Sequence, residues 1–327
     1  MKNGLSRFTF YTDQLKALLN EAKDQNNPAM WLFTNNARTP SFMLEALARI
    51  YSKMHNSKRF GKLKDQFKLL EDGLGQIDHY NSLYQAFSTR KRIPAKYRNY
   101  IKSRLEQSEA NLNETLIDKE WLPDPRICIK KITKKLKDAS WLTPGKEIQA
   151  ISDIYGSSIY DILEFVAGTN YTFDNVEEDV HELRRKLRWL SIYPQALRGA
   201  IQYGKGKRSS QKLKKYLTEE IVNSPYNKLP PAGENTALLL LDKNYFLSLS
   251  WMIARLGKLK DEGLIITGLS EAIRQDTSGT DEEIMSKAKS LLGRNQRPMQ
   301  AILDDSEEIT KTFFSEKNLM HLVLGTK

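Results

Sequence analysis

A histidine and three arginines lie close together in the segment VHELRRKLR, residues 180–188. At about 100° per residue along a helix, His181, Arg184, Arg185 and Arg188 fall within one narrow arc. Arginine offers paired N–H donors that match phosphate oxygens, and an imidazole N–H can donate to the same atoms. The spacing therefore indicates an anion-binding helix face, with a solvated charged face as the alternative interpretation.

The element that must position these side chains is an amphipathic helix. An apolar stripe lies about a third of a turn from the cations and is made of Val176, Val180, Leu183, Leu187 and Leu190. Asp174 is a suitable N-cap, and Glu177 three residues later completes a capping-box pattern. We expect the stripe to anchor the helix in a core while the cations face a ligand.

Composition sets the class of protein. The chain has 327 residues, 40% of them hydrophobic and 28% charged, which is typical of a globular protein. The net charge of +11 favours a polyanionic partner. The single cysteine, Cys128, excludes an intramolecular disulfide and fits a reducing compartment. With no signal-peptide pattern and no apolar run of about 18 residues, we expect a cytoplasmic protein with no membrane partner.

Helical periodicity dominates the chain, with at least eight predicted helices, so the predicted fold class is all-α. A sheet would have to use short segments such as residues 238–241 or 264–266. Proline-rich breaks near residues 121–125 and 141–145 predict a boundary between a first half, 1–145, and a second half, 146–327. The region 203–235, rich in Gly, Lys and Pro, is predicted to be a basic loop inserted in the second half.

Two segments resemble each other at an interval of 182 residues, namely 67–78 and 249–261. Each is an apolar helix that reaches a Leu-Gly pair, Leu74-Gly75 or Leu256-Gly257, and then an acidic residue. A glycine at this position suits a close helix crossing where no side chain fits. The repeat indicates a duplicated helical bundle.

The sequence from Val180 to Arg188, together with the helices that end in Leu-Gly, resembles the CHAD domain, the conserved histidine α-helical domain. The resemblance implies two pseudo-symmetric antiparallel four-helix bundles that bind inorganic polyphosphate in a basic groove between them. It implies no established catalytic activity and no cofactor. We therefore expect a non-enzymatic binding protein.

The match is uneven between the halves. In the second half, His181, Arg184 and Arg188 occupy the positions of the family motif, while Trp189 and Ser191 replace its next two basic residues. Arg185 and Lys186 are expected to restore that charge.

The first half has no histidine at the corresponding position. Counting back from Leu74-Gly75 places its motif on residues 41–49, with Arg49 and Lys53 as the cations expected to face the second half. The predicted polyphosphate-binding set contains His181, Arg184, Arg185, Lys186, Arg188, Arg49 and Lys53.

Three other interpretations stay open. A nucleic-acid or acidic-protein module would use the lysines of 130–137 and the basic loop 205–215. A metal-assisted phosphohydrolase would need the separated His55, His79, His181 and His321 to converge, although no histidine pair has metal-ligand spacing. A scaffold without a ligand is the third. Basic residues 90–104 are interleaved with Tyr97 and Tyr100, a pattern of single-stranded nucleic-acid binding, but helical spacing favours packed tyrosines.

Overall fold

The computed structural model describes residues 3–205 and 211–327, and it is predominantly helical, as the periodicity predicts. The α-helices are α1 (Asn3–Ala22), α2 (Pro28–Thr34), α3 (Arg38–Met54), α4 (Ser57–Ser88), α5 (Ala95–Asp118), α6 (Pro125–Lys137), α7 (Pro144–Gly168), α8 (Glu182–Ala196), α9 (Glu219–Asn223), α10 (Lys243–Arg274), α11 (Asp281–Leu292) and α12 (Met299–Ser315). In the described ranges, no helix is long and apolar enough to cross a membrane.

A small sheet interrupts the helical pattern. It contains β1 (Ile201–Gly204), β2 (Leu239–Asp242) and β3 (Val323–Thr326), in the order β1-β2-β3. β1 pairs with β2 in parallel, and β2 pairs with β3 antiparallel. The all-α prediction therefore holds for most of the chain but misses this sheet. Of the two strand candidates, 238–241 overlaps β2, whereas 264–266 lies inside α10.

The chain divides into two compact units. Unit 1 contains residues 1–141 and 265–298, and unit 2 contains residues 142–264 and 299–327. The end of the first segment lies close to the boundary predicted near residue 145. Residues 265–298, which the sequence analysis assigns to the second half, belong to unit 1.

Unit 1 is built on helix pairs: α3 packs on α4, α4 on α5, and α1 on both α3 and α6. An aromatic cluster fills the core beside α1, with Trp141 lying 5.2 Å from Tyr51 and 5.8 Å from Phe60 between ring centroids. Gly4 is required here, since a Cβ at that position would lie 2.2 Å from Trp141 Cζ3. This close approach lets α1 pack directly on the indole of Trp141.

In unit 2, α7 packs on α8, and the buried Tyr155 hydroxyl donates to Leu190 O at 2.7 Å. The inserted region 203–235 has more structure than a loop. It contains the 3₁₀ helices Gln211–Tyr216 and Pro225–Asn227 as well as α9. Leu213 and Tyr216 are buried among the lysines, which explains the local order. Residues 206–210 of the predicted basic loop lie outside the described residues.

Candidate anion-binding site

The predicted helix begins one residue later than expected. Asn175 is the N-cap in place of Asp174, and its side chain accepts hydrogen bonds from Glu177 N and Glu178 N. Asp179, not Glu177, reaches back to accept from Asn175 N at 2.8 Å. Both neighbouring residues are good capping types, so sequence alone did not separate them. A π-helical turn, Val176–His181, then leads into α8.

The apolar stripe is buried as predicted, each of its side chains being at most 3% exposed. His181, Arg184 and Arg188 are consequently held half-buried at the edge of the core, and Arg185 is exposed. An anchored helix restricts its cations to few positions, which lowers the entropy lost when they bind a ligand.

His181 lies in a strongly positive environment. Burial of the imidazole, together with the nearby cations Lys260, Arg184, Arg185 and Arg188, lowers its pKa to about 4. We call His181 and these four residues the cationic cluster. At neutral pH the imidazole is therefore uncharged, so it can donate one N–H and accept at its other nitrogen.

Lys260 is a member that sequence reasoning missed. It comes from α10, its side chain is only 16% exposed, and it also pairs with Asp261 at 2.7 Å. The signal was present in the Leu-Gly repeat, because Lys260 follows Gly257 by three residues and lies on nearly the same helix face. Only the packing of α10 beside His181 makes that position part of the site.

Arg184 explains the glycine of the second Leu-Gly pair. Its Nε donates to Ile253 O at 3.2 Å, and a Cβ at Gly257 would lie 2.9 Å from the same Nε. The glycine thus admits an arginine side chain against the backbone of α10. Because the acceptor is a neutral carbonyl, this hydrogen bond leaves the charge of Arg184 in place.

Arg185 and Lys186 are partly neutralised by one acid. The Glu182 carboxylate forms an ion pair with Arg185 at 2.6 Å and lies 3.6 Å from Lys186 Nζ. Lys186 also lies over the Phe165 ring at 5.2 Å. These two predicted residues therefore contribute less net positive charge than their number suggests.

Unit 1 contains a related arrangement that the sequence analysis placed elsewhere. A Cβ at Gly75 would lie 2.9 Å from Arg38 Nη2, so Arg38 is the arginine that packs on the first Leu-Gly pair. Its Nε donates to Glu71 at 2.7 Å and its Nη1 donates to Asp78 at 2.7 Å. Two carboxylates thus bind this guanidinium.

The two cations predicted from the first half lie further along α3. Arg49 donates to the buried Glu45 carboxylate at 2.9 Å, and Lys53 is exposed in the last turn. Burial raises the pKa of Glu45, while Arg49 lowers it. Both cations belong to unit 1, and their predicted role opposite the cationic cluster stays a prediction.

The alternative surfaces are less organised. The exposed lysines of α6 include Lys131, which pairs with Glu120. Tyr97 is 2% exposed and the Tyr100 hydroxyl donates to Glu271 at 2.8 Å, so both tyrosines are engaged in packing and hydrogen bonding.

Among residues 3–205 and 211–327, no three His, Cys, Asp or Glu side chains are grouped to hold a metal ion. Comparison of the chain with protein-family models, with curated proteins and with solved structures gave no match.

Proposed function

We propose that the protein binds inorganic polyphosphate at the cationic cluster and does not act on it chemically. The observation that carries this proposal is the convergence of Arg184, Arg185, Arg188 and Lys260 on His181, whose pKa is lowered to about 4 by burial and by these four cations together. Like charges at close range repel one another, and a bound anion relieves that repulsion. The best ligand is accordingly one that brings several phosphates to one place.

Polyphosphate fits this arrangement better than a nucleic acid does. It presents closely spaced phosphate oxygens and no bases, so its partner needs forked and point cations but no stacking surface. The cluster supplies arginines and a lysine, and the neighbouring Trp189 is stacked on Tyr193 with ring centroids 6.0 Å apart. We infer that Lys186, Arg49 and Lys53 add long-range electrostatic attraction for the same polyphosphate molecule.

We also infer that the two halves arose by duplication into pseudo-symmetric bundles. Three correspondences support this inference. The helices α4 and α10 both have 32 residues and each carries a Leu-Gly pair. An arginine packs on each glycine. Its Nε donates to the residue four positions before that glycine, Glu71 in one half and Ile253 in the other.

The spacing agrees with an insertion in the second copy. Arg38 and Arg184 are 146 residues apart, whereas Gly75 and Gly257 are 182 apart, leaving 36 extra residues between α8 and α10. The copies differ in what lies beside the arginine: Glu71 and Asp78 bind Arg38, whereas Arg184 is one of four cations that lower the pKa of His181. We therefore assign binding to the second copy and regard the first as degenerate.

A cytoplasmic location is part of the proposal. Cys128 is buried, and burial raises the pKa of its thiol to about 11. Such a thiol is unreactive, which suits a protein that uses no disulfide.

The proposal is tested by titrating polyphosphate of defined length into the full chain and into a variant with His181→Ala, Arg184→Ala and Arg188→Ala. We expect the variant to bind at least about tenfold more weakly, since it loses two charges and a donor. Arg188→Ala alone provides a milder variant that leaves the packing of Arg184 intact, and we expect it to lower affinity in the same direction.

The matched control is Lys130→Ala with Lys134→Ala on α6. The triple variant loses two positive charges, because His181 is neutral near pH 7. The control also loses two positive charges, but from an exposed helix face. We expect affinity to change less than about twofold. Equal affinity of the wild type and the cluster variants would refute the proposal, and a selective loss in the α6 control would instead favour the nucleic-acid or acidic-protein interpretation.

A further inference from the structure

A second basic site lies in unit 1, far in sequence from the cationic cluster. A cavity of about 330 Å³ is formed between the segment that joins α4 to α5 and the turn that follows α11. The first segment contributes Arg90, Lys91 and Arg92, and the second contributes Arg294. Three consecutive cations and a fourth, some two hundred residues later in the chain, thus line one concave surface.

The charge of this cavity is not balanced locally. Within residues 3–205 and 211–327, its lining includes no aspartate or glutamate. In the same part of the chain, Lys91, Arg92 and Arg294 have no ion-pair partner. Other surface cations of unit 1 do pair, as Lys96 does with Asp276 and Lys68 with Asp72. An anion in the cavity would therefore gain attraction without first displacing a carboxylate.

Arg90 has a structural role that the other three do not share. Its Nη1 donates to Ala86 O at 2.9 Å, near the end of α4, where cations stabilise unsatisfied carbonyls. This bond fixes the start of the segment that carries Lys91 and Arg92. Lys91, Arg92 and Arg294 are therefore the cations that we assign to a ligand.

The cavity also has an apolar side. Leu291 and Leu292, the last residues of α11, contribute to its lining and are partly exposed. Gly293 then turns the chain at a φ of +100°, a conformation that L residues rarely adopt. A Cβ at Gly293 would lie 3.9 Å from Arg92 Nη1, so the turn brings the backbone close to that guanidinium.

We propose that this cavity binds a small phosphate-bearing molecule with a nonpolar body, of about mononucleotide size. The phosphates contact Lys91, Arg92 and Arg294, and the nonpolar body lies on the two leucines. The volume of about 330 Å³ is at the small end of ligand sites, which span roughly 300 to 1,000 Å³. The site is distinct from the cationic cluster, which belongs to unit 2.

The test uses ATP and inorganic tripolyphosphate as probes, titrated calorimetrically into the full chain without divalent metal. We expect ATP to bind, and to bind more tightly than tripolyphosphate because only ATP offers a nonpolar body. In Arg92→Ala with Arg294→Ala, both exposed positions, ATP affinity should fall at least about tenfold. Lys58→Ala with Lys62→Ala removes the same charge from exposed positions of unit 1, and we expect less than a twofold change.

The cluster variant with His181→Ala, Arg184→Ala and Arg188→Ala separates this proposal from the proposed function. It should keep wild-type ATP affinity whether or not the protein binds long polyphosphate. Three results would overturn the cavity proposal: no ATP binding at millimolar concentration, unchanged ATP affinity in the Arg92 and Arg294 variant, or an equal loss in the Lys58 and Lys62 control. Tripolyphosphate binding to this cluster variant as tightly as ATP would overturn the nonpolar part of the proposal.

Discussion

At the scale of single residues, the uncharged state of His181 links the site to stability. The folded-state pKa is about 4, below the ordinary value of 6.5. Between these two values the unfolded chain binds more protons than the folded chain, so stability falls as pH falls through this window. The groups that face the imidazole from its own helix are Arg184, Arg185 and Arg188, and Lys260 faces it from α10.

We therefore predict that His181→Gln reduces the loss of stability on acidification. The free energy of unfolding of the wild type and the variant, measured with urea at pH 7 and pH 4.5, checks this. The wild type should lose more stability between the two pH values, because only its position 181 is protonated on unfolding. An identical loss in both proteins would show that His181 is not held neutral.

Residue types and spacing are sufficient to predict that His181, Arg184 and Arg188 share one helix face, because these positions depend only on the helical repeat. Lys260 and Arg38 were not found in this way. Each belongs to its local arrangement through packing between helices distant in sequence, and lysines and arginines are too numerous for one to be singled out by type. Counting back from Leu74-Gly75 predicts Arg49, whereas Arg38 is the residue that contacts Gly75.

At the scale of elements, the Leu-Gly pair of α10 lets Arg184 pack against the helix backbone. Alanine is ordinarily favoured over glycine inside a helix by about 0.5–1 kcal/mol. At Gly257 the new Cβ would lie 2.9 Å from Arg184 Nε, so the arginine has to move. In Gly257→Ala, the close contact with Arg184 therefore lowers the free energy of unfolding, whereas the higher helix propensity of alanine raises it.

We predict that Gly257→Ala weakens polyphosphate binding several-fold, because it displaces Arg184 from the cluster. The control is Gly156→Ala, at an exposed position in α7 where a Cβ would meet nothing within 4 Å. That variant should gain about 0.5–1 kcal/mol of stability and keep wild-type affinity. Calorimetric titration and urea unfolding measure both quantities, and unchanged binding in Gly257→Ala would argue against Arg184 as a ligand-binding residue.

Element boundaries show where local patterns are insufficient. Asp174 and Asn175 are both capping residues, and the π-helical turn that moves the start to Asn175 has no separate sequence signature. Residues 238–241 and 264–266 are equally short and apolar, yet one lies largely in a strand and the other in the middle of a long helix. Pairing of β2 with β1 and β3 decides the first case, and the continuous periodicity of α10 decides the second.

At the scale of the whole molecule, the fold class followed from periodicity, but the division into units did not. Residues 265–298 belong to unit 1 because of contacts with helices some two hundred residues earlier, which no local pattern reveals. The pattern of residues 203–235 predicts a loop, because lysines, glycines and prolines outnumber the large apolar residues there. Buried Leu213, Tyr216 and Ile221 are enough to order its described part.

The net charge of +11 is also informative only once its distribution between the two units is known. The excess lies in unit 1, because unit 2 has 20 Lys and Arg against 20 Asp and Glu, yet unit 2 places four of its cations beside His181. We therefore propose that the local group of cations beside His181, and not the overall excess of positive charge, binds polyphosphate.

The most direct test of this proposal is to measure the pKa of His181 by NMR, in wild-type protein with and without saturating polyphosphate. A bound polyanion offsets the surrounding cations and accepts a hydrogen bond from the protonated ring, so we predict that the pKa rises from about 4 by at least about one unit. By linkage, each unit corresponds to roughly tenfold tighter binding to the protonated form. An unchanged titration curve at saturation would contradict binding at this site.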